Sequence, residues 1–192
     1  FSYVTSHGIY KQQHTSCLRQ LVILGPLLKS DATMIGGRTY MDIEERVQQL
    51  GFQLPSVPTP AGAYVPGILT GNLCFVSGQT GTVNGKLVYT GKLGREVSVE
   101  DGYKSAQIAV LNCLAEAKAV LGSLHRIKRI VKVTGFVASA EGFDQQPQVM
   151  NGASELLVEI FGETGKHARS AVGVAELPFG APVEVELILE FA

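Results

Sequence analysis

From Ser98 onward the apolar positions recur every three or four residues: Ala106, Ala109, Val110, Cys113, Leu114, Ala117, Val120 and Leu121 fall on one face of a long helix. Ser98 is a natural N-cap, with Glu100 and Asp101 in the first turn, and Gly122 supplies the stop. A second helix is predicted over residues 147–161, ending before Gly162 and Gly165. A shorter one lies in MDIEERVQQLGFQL from Met41, and the SVPTPAG stretch behind it cannot continue a helix.

Elsewhere the pattern is that of strands. Residues 64–69 and 73–77 are two short apolar runs joined at Thr70-Gly71-Asn72, which reads as a hairpin. Residues 81–94 hold four glycines around LVYT, giving a loop with one edge strand. Residues 127–138 are β-branched and apolar on both faces, as in a central strand covered on one side by helices. Residues 169–176 and 183–191 alternate around LPFGAP, predicting a C-terminal hairpin. With residue 176 facing 183, Val172 and Val174 lie opposite Leu187 and Val185. The other face then carries Arg169, Ala171, Gly173 and Ala175 with Glu184, Glu186, Ile188 and Glu190. The order ββ(β)αβαββ gives an α+β fold, a mixed sheet with two helices on one face. The opposite face keeps Ile188 beside charges, so other subunits are expected to cover it.

Composition narrows this picture. A length of 192 residues fits one domain with an appendage, and 45% hydrophobic against 17% charged residues excludes a disordered chain. The longest apolar stretch, residues 21–28, is broken by Gly25 and Pro26 and falls far short of the ~20 residues of a membrane helix. A net charge of -1 gives no general pull on nucleic acid. The basic run His125-Arg126-Ile127-Lys128-Arg129 lacks interleaved aromatics and reads as a solvated edge. Cys17, Cys74 and Cys113 have neither CxxC nor CxxH spacing, which argues against a disulfide framework or zinc site and for a reducing compartment. Cys74 and Cys113 are expected as buried small hydrophobes. His7, His14, His125 and His167 lack ligand spacing and read as exposed polar residues.

Residues 1–40 carry Lys11, Arg19, Lys29 and Arg38 against the single acid Asp31. They read either as an organelle transit leader or as an extension ahead of a start at Met41. The short helix and Pro-rich linker then span 41–60, and one folded domain spans 61–192. The expected location is the cytoplasm, or a mitochondrion or other organelle if the leader is a transit peptide.

The segment ARSAVGVAELPFGAPVEVE closely resembles the C-terminal signature of the Rid (RidA/YjgF) family, whose members have also been labelled L-PSP endoribonucleases. FVSGQ at 75–79 and AGAYV at 61–65 resemble two further family motifs in the right order. The resemblance implies a chorismate-mutase-like fold, a barrel-like homotrimer and sites in clefts between subunits. It implies a deaminase that hydrolyses 2-iminobutanoate and 2-iminopropanoate without a cofactor. Arg169 matches the family arginine that binds the substrate carboxylate, and Glu184 the glutamate that positions water. Tyr64, Ser77 and Gly78 match residues lining that cleft, and Asn151 an asparagine at the start of the second helix. The chain departs from the family at Ala171, where cysteine is common, at His167, where proline usually stands, and in a longer loop before Asn151.

These residue types suit the chemistry. Guanidinium meets a planar carboxylate with two parallel hydrogen bonds, and a shielded carboxylate can deliver water and protons to a C=N carbon. In the predicted hairpin Arg169 faces Glu190 and lies six residues, or ~20 Å, from the partner of Glu184. A shared site would therefore draw the two residues from different chains. Two other readings compete: a non-catalytic trimer binding a small carboxylate metabolite, and an endoribonuclease or translation inhibitor.

Overall fold

The computed structural model describes residues 34–35, 38–39, 42–57 and 63–192. The expected leader therefore falls outside the described residues, apart from two short antiparallel strands, β1 (Met34–Ile35) and β2 (Arg38–Thr39).

The helices form where their caps and apolar faces place them. Helix α1 (Ile43–Gln49) is capped by Asp42, whose carboxylate accepts from the Glu44 N–H at 2.7 Å. Helix α2 (Val99–Leu121) starts at Ser98, whose hydroxyl accepts from the Asp101 N–H, and ends at Gly122 with φ +81°. That left-handed turn is open to glycine at little steric cost. Helix α3 (Gln146–Phe161) stops at Gly162.

Five strands form the main sheet, in the order β3-β4-β9-β7-β8. They are β3 (Gly67–Thr70), β4 (Leu73–Thr80), β7 (Ile127–Ala138), β8 (Ala168–Val174) and β9 (Val183–Phe191). The expected hairpin of β3 and β4 is present, turning at Gly71 and Asn72. The glycine-rich loop carries a small hairpin of its own, β5 (Thr82–Val83) with β6 (Lys86–Leu87). Asn112 of α2 anchors this loop by donating to the Thr80 and Thr82 carbonyls at 2.8 and 3.0 Å.

The predicted C-terminal hairpin does not form. Strand β8 runs parallel to β7 and lies at the sheet edge, whereas β9 is antiparallel to both β7 and β4 and sits between them. The physical reason is the connection through α3. A strand, a helix packed on the sheet and a second strand return the chain in the same direction, so β8 docks beside β7. The 175–182 segment must then cross the end of β7 to reach the middle of the sheet.

This topology also exchanges the predicted faces. Directly paired residues point to the same side of a sheet. Arg169 pairs with Val133, Ala171 with Gly135 and Gly173 with Val137, and Val133 and Val137 are fully buried beneath the helices. Ser170, Val172 and Val174 occupy the other face. Through β7 that face also receives Glu184 beside Phe136 and Glu186 beside Thr134. Glu190, the expected neighbour of Arg169, instead meets Asn72 at 3.3 Å and Arg129 at 3.5 Å.

The core lies between the sheet and the helices α2 and α3. It contains Cys74 and Cys113, both fully buried as expected. Two glycines set how closely α3 approaches. A β carbon at Gly152 would overlap the Tyr103 carbonyl of α2, and one at Gly135 would overlap Met150. Helix α3 therefore lies close against both α2 and β7, which carries Asn151 and Ser154 toward the start of β8. On the opposite face Phe75 and Val172 remain 41% and 44% exposed, with no helix over them among the described residues.

Candidate functional site

Arg169 stands second in an edge strand on the helix-facing side, so its side chain meets α3. Nη1 donates to Asn151 Oδ1 at 2.9 Å and to Ser154 Oγ at 3.0 Å, while Nη2 donates to the Pro147 carbonyl at 3.3 Å. A guanidinium has five N–H groups, and the described residues engage three of them. What remains is Nε–H and one Nη2–H. Paired guanidinium donors of this kind match the two oxygens of a carboxylate.

Behind the arginine lies a histidine that the sequence placed in solvent. His167 is half-buried, with Nδ1 2.6 Å from the Gly165 carbonyl and Nε2 3.0 Å from Ser154 Oγ. Burial holds its pKa below the ordinary histidine value. The Arg169 charge acts in the same direction, and the hydrogen bond to Gly165 opposes both. His125, by contrast, is exposed as expected and pairs with Asp42 at 3.3 Å.

The remaining predicted residues gather on the other face. The ladder between β4 and β9 is irregular between Val76 and Gln79, so Ser77 and Gly78 bulge from it. The Ser77 hydroxyl donates to the Val65 carbonyl at 2.7 Å and its N–H to the Pro66 carbonyl at 2.9 Å. Gly78 leaves the space that the Glu184 carboxylate fills, since a β carbon there would overlap Oε1. Burial raises the Glu184 pKa above the usual glutamate value, and the nearby Glu186 charge adds to the shift. Tyr64, 54% exposed, joins Ser77, Phe75, Thr134, Glu186 and Ile188 around a groove of about 530 Å³. A larger hollow of about 630 Å³, between α1 and α2, contains none of the predicted residues.

Within one chain the structure thus brings Arg169 together with Asn151, and Glu184 with Gly78. It does not bring the two groups together. The positions on β7 beside Arg169 and Glu184 are Val133 and Phe136, three apart, and the two strands lie on opposite sides of β7. At ~3.3 Å per residue and ~4.8 Å per strand, their backbones are roughly 14 Å apart, with side chains on opposite faces.

The chain is similar to known proteins over most of its length. Residues 44–191 match the family described as "YjgF/chorismate mutase-like, putative endoribonuclease". The chain belongs to the Rid (RidA/YjgF) family. Protein TCP17 of Trypanosoma cruzi is 42% identical over 149 residues, covering 77% of this chain and 93% of that protein. A 2-iminobutanoate/2-iminopropanoate deaminase of Dermatophagoides farinae is 33% identical over 136 residues, covering 70% and 91%. The crystal structure of Agrobacterium tumefaciens Atu1372, a protein of unknown function, superposes with a TM-score of 0.74 at 46% identity, covering 78% and 92%.

As a Rid-family member the chain has the expected mixed sheet backed by helices in a chorismate-mutase-like fold. Among its described residues no helix is long and apolar enough to cross a membrane. The basic run is partly engaged: Arg126 donates to the Ala192 and Leu121 carbonyls and lies 5.1 Å over the Phe191 ring, while Arg129 faces Glu190. Sequence reasoning missed Ser154 altogether. The available signal was its i+3 spacing from Asn151, which puts both on one side of α3.

Proposed function

We propose that this Rid-family chain hydrolyses 2-imino acids and their enamine tautomers, with 2-iminobutanoate and 2-iminopropanoate as substrates, to 2-oxo acids and ammonia. The observation that carries the reading is the Arg169 guanidinium, held by Asn151, Ser154 and Pro147, with two of its five N–H groups unengaged among the described residues. Such an arginine is pre-oriented, so little side-chain freedom is lost when a carboxylate docks. The name borne by the relative from Dermatophagoides farinae supports the same activity.

Glu184 is the group assigned to the reacting carbon. Its raised pKa brings it nearer to exchanging protons around neutrality than an ordinary glutamate. It takes a proton from water as the water oxygen bonds to the C=N carbon, and delivers that proton to the nitrogen, which has taken up the C=N π pair. It then takes the hydroxyl proton as the O–H electrons form the C=O bond of the 2-oxo acid, and passes it to the nitrogen, which leaves with the C–N pair as ammonia. Tyr64 and Ser77 line the groove from which water approaches, and Gly78 follows Ser77 in the bulge against Glu184.

Opposite faces and a backbone separation of roughly 14 Å prevent one chain from presenting both residues to one small substrate. The site is therefore assigned to clefts between subunits of a homotrimer, with Arg169 from one chain and Glu184 from the next. The exposed Phe75 and Val172 supply apolar surface for that packing. In a coupled assay a dehydratase generates 2-iminobutanoate and semicarbazide traps what is left. The protein should lower the trapped fraction. Glu184→Ala should abolish this effect and leave 2-oxobutanoate binding nearly intact. A wild-type protein that leaves the trapped fraction unchanged, or a fully active monomeric variant, overturns the reading.

A further inference from the structure

A serine hydroxyl donates one hydrogen and accepts through two lone pairs, so its role depends on where its proton is held. Ser154 lies between two nitrogen groups, with Arg169 Nη1 at 3.0 Å and His167 Nε2 at 3.0 Å. The guanidinium can only donate. On the far side of the imidazole, Nδ1 faces the Gly165 carbonyl at 2.6 Å, and a carbonyl can only accept. Nδ1 must therefore carry the ring proton, which leaves Nε2 as the acceptor for the Ser154 hydroxyl. Hydrogen bonds then run in one direction, from Arg169 to Ser154 to His167 to Gly165. The far end is firmly held, because Gly165 is buried against the backbone of Leu157 and Val158. Arg169 is the charged group acting on His167, while the neighbouring Lys166 and Glu163 pair with each other at 2.8 Å.

We propose that His167 and Ser154 form a relay that fixes the orientation of Arg169, making His167 a positioning residue for carboxylate recognition. The proposal rests on the carboxylate-binding reading of Arg169 given above. With its proton drawn to His167, Ser154 is an obligate acceptor for Nη1, and the remaining guanidinium donors are aimed. Without His167 the hydroxyl turns toward the backbone of its own helix, as serines within helices do, and its hold on Nη1 weakens. The histidine thus supplies a ring acceptor that the family's usual proline lacks.

The test uses the whole protein labelled with 15N-histidine, together with His167→Leu, His167→Gln and Ser154→Ala. At pH 7.5 the His167 resonances should show a proton on Nδ1 and none on Nε2. His167→Leu should raise the KM for 2-iminobutanoate, and the Kd for 2-oxobutanoate, about tenfold, with kcat within about twofold. His167→Gln places an amide oxygen near the Nε2 position and should recover most of the loss. In a Ser154→Ala background His167→Leu should have little further effect, since the relay is already broken. A proton on Nε2, unchanged KM and Kd in His167→Leu, no recovery by glutamine, or fully additive losses each overturn the relay. A protein without deaminase activity whose 2-oxobutanoate affinity still falls with His167→Leu retains the relay and loses the catalytic reading. If wild type neither turns over nor binds, the function reading fails, and the histidine tautomer alone decides the relay.

Discussion

Replacing Gly78 by alanine tests the assignment of Glu184 through a neighbour that takes no part in the chemistry. The added β carbon would overlap Glu184 Oε1 and lie 3.0 Å from Cδ and 3.3 Å from Cγ. Every close contact is to one flexible side chain, and Gly78 is not among the residues with positive φ. The backbone can therefore stay in place while the carboxylate moves by about 1 Å. Such a move costs Glu184 about 1 kcal/mol of rotamer strain, a small fraction of folding stability. For a reacting group, a displacement of about 1 Å corresponds to roughly 10²-fold in rate. In the dehydratase-coupled assay Gly78→Ala should lose about 10²-fold in kcat. Its melting temperature should stay within a few degrees of wild type, and 2-oxobutanoate should still bind through Arg169. A folded Gly78→Ala protein with wild-type kcat would refute the placement of Glu184 at the reacting carbon.

Arg169→Lys keeps the charge and loses the planar fork, and a lysine cannot satisfy Asn151, Ser154 and Pro147 while keeping an edge for substrate. Calorimetry should show 2-oxobutanoate binding weakened about tenfold or more. Glu116 of α2 is 3% exposed, with Oε2 unpartnered among the described residues, and burial raises its pKa above 4.5. The folded state then holds this proton more tightly than the unfolded chain, so the cost of ionising the group is fully present above the raised pKa and fades as pH falls through it. Glu116→Met should therefore stabilise the protein by about 1 kcal/mol in urea denaturation at pH 7.5, and by less near pH 5. His167 shifts the other way, its lowered pKa giving stability that is present above pH 6.5 and lost as pH falls through the folded value. In wild type, His167→Gln should remove that part of the acid sensitivity. Gly152→Ala pushes a β carbon into the Tyr103 backbone and should cost about 1–3 kcal/mol, seen as a lower denaturation midpoint.

Local chemistry made the helices legible. Ser98 and Gly122 bound α2 where capping rules place them, and Gly71-Asn72 turns β3 into β4. Alternation in the C-terminal segment correctly marked β8 and β9 as strands. It could not say which strand lies beside which, because a period of two assigns faces and leaves partners open. The assumed hairpin carried Arg169 to the wrong face, although the helix between β7 and β8 already favoured a parallel return. The inference that Arg169 and Glu184 do not share a site within one chain holds on different grounds, since opposite faces replace a 20 Å offset along one hairpin. His167 was read as exposed because its isolation in sequence says nothing of Ser154, thirteen positions earlier on α3.

The central position of β9 has a consequence for how the molecule is made. Strands β4 and β7 share no hydrogen bonds and meet only through a neighbour that is translated after both. Until the ribosome releases the stretch up to Phe191, the sheet exists as two fragments, each with an unsatisfied edge. Its closure is thus a late, long-range event rather than a stepwise zippering from the N-terminus. Glu184 travels on the strand that closes the sheet, so closure also delivers the carboxylate to the Gly78 bulge.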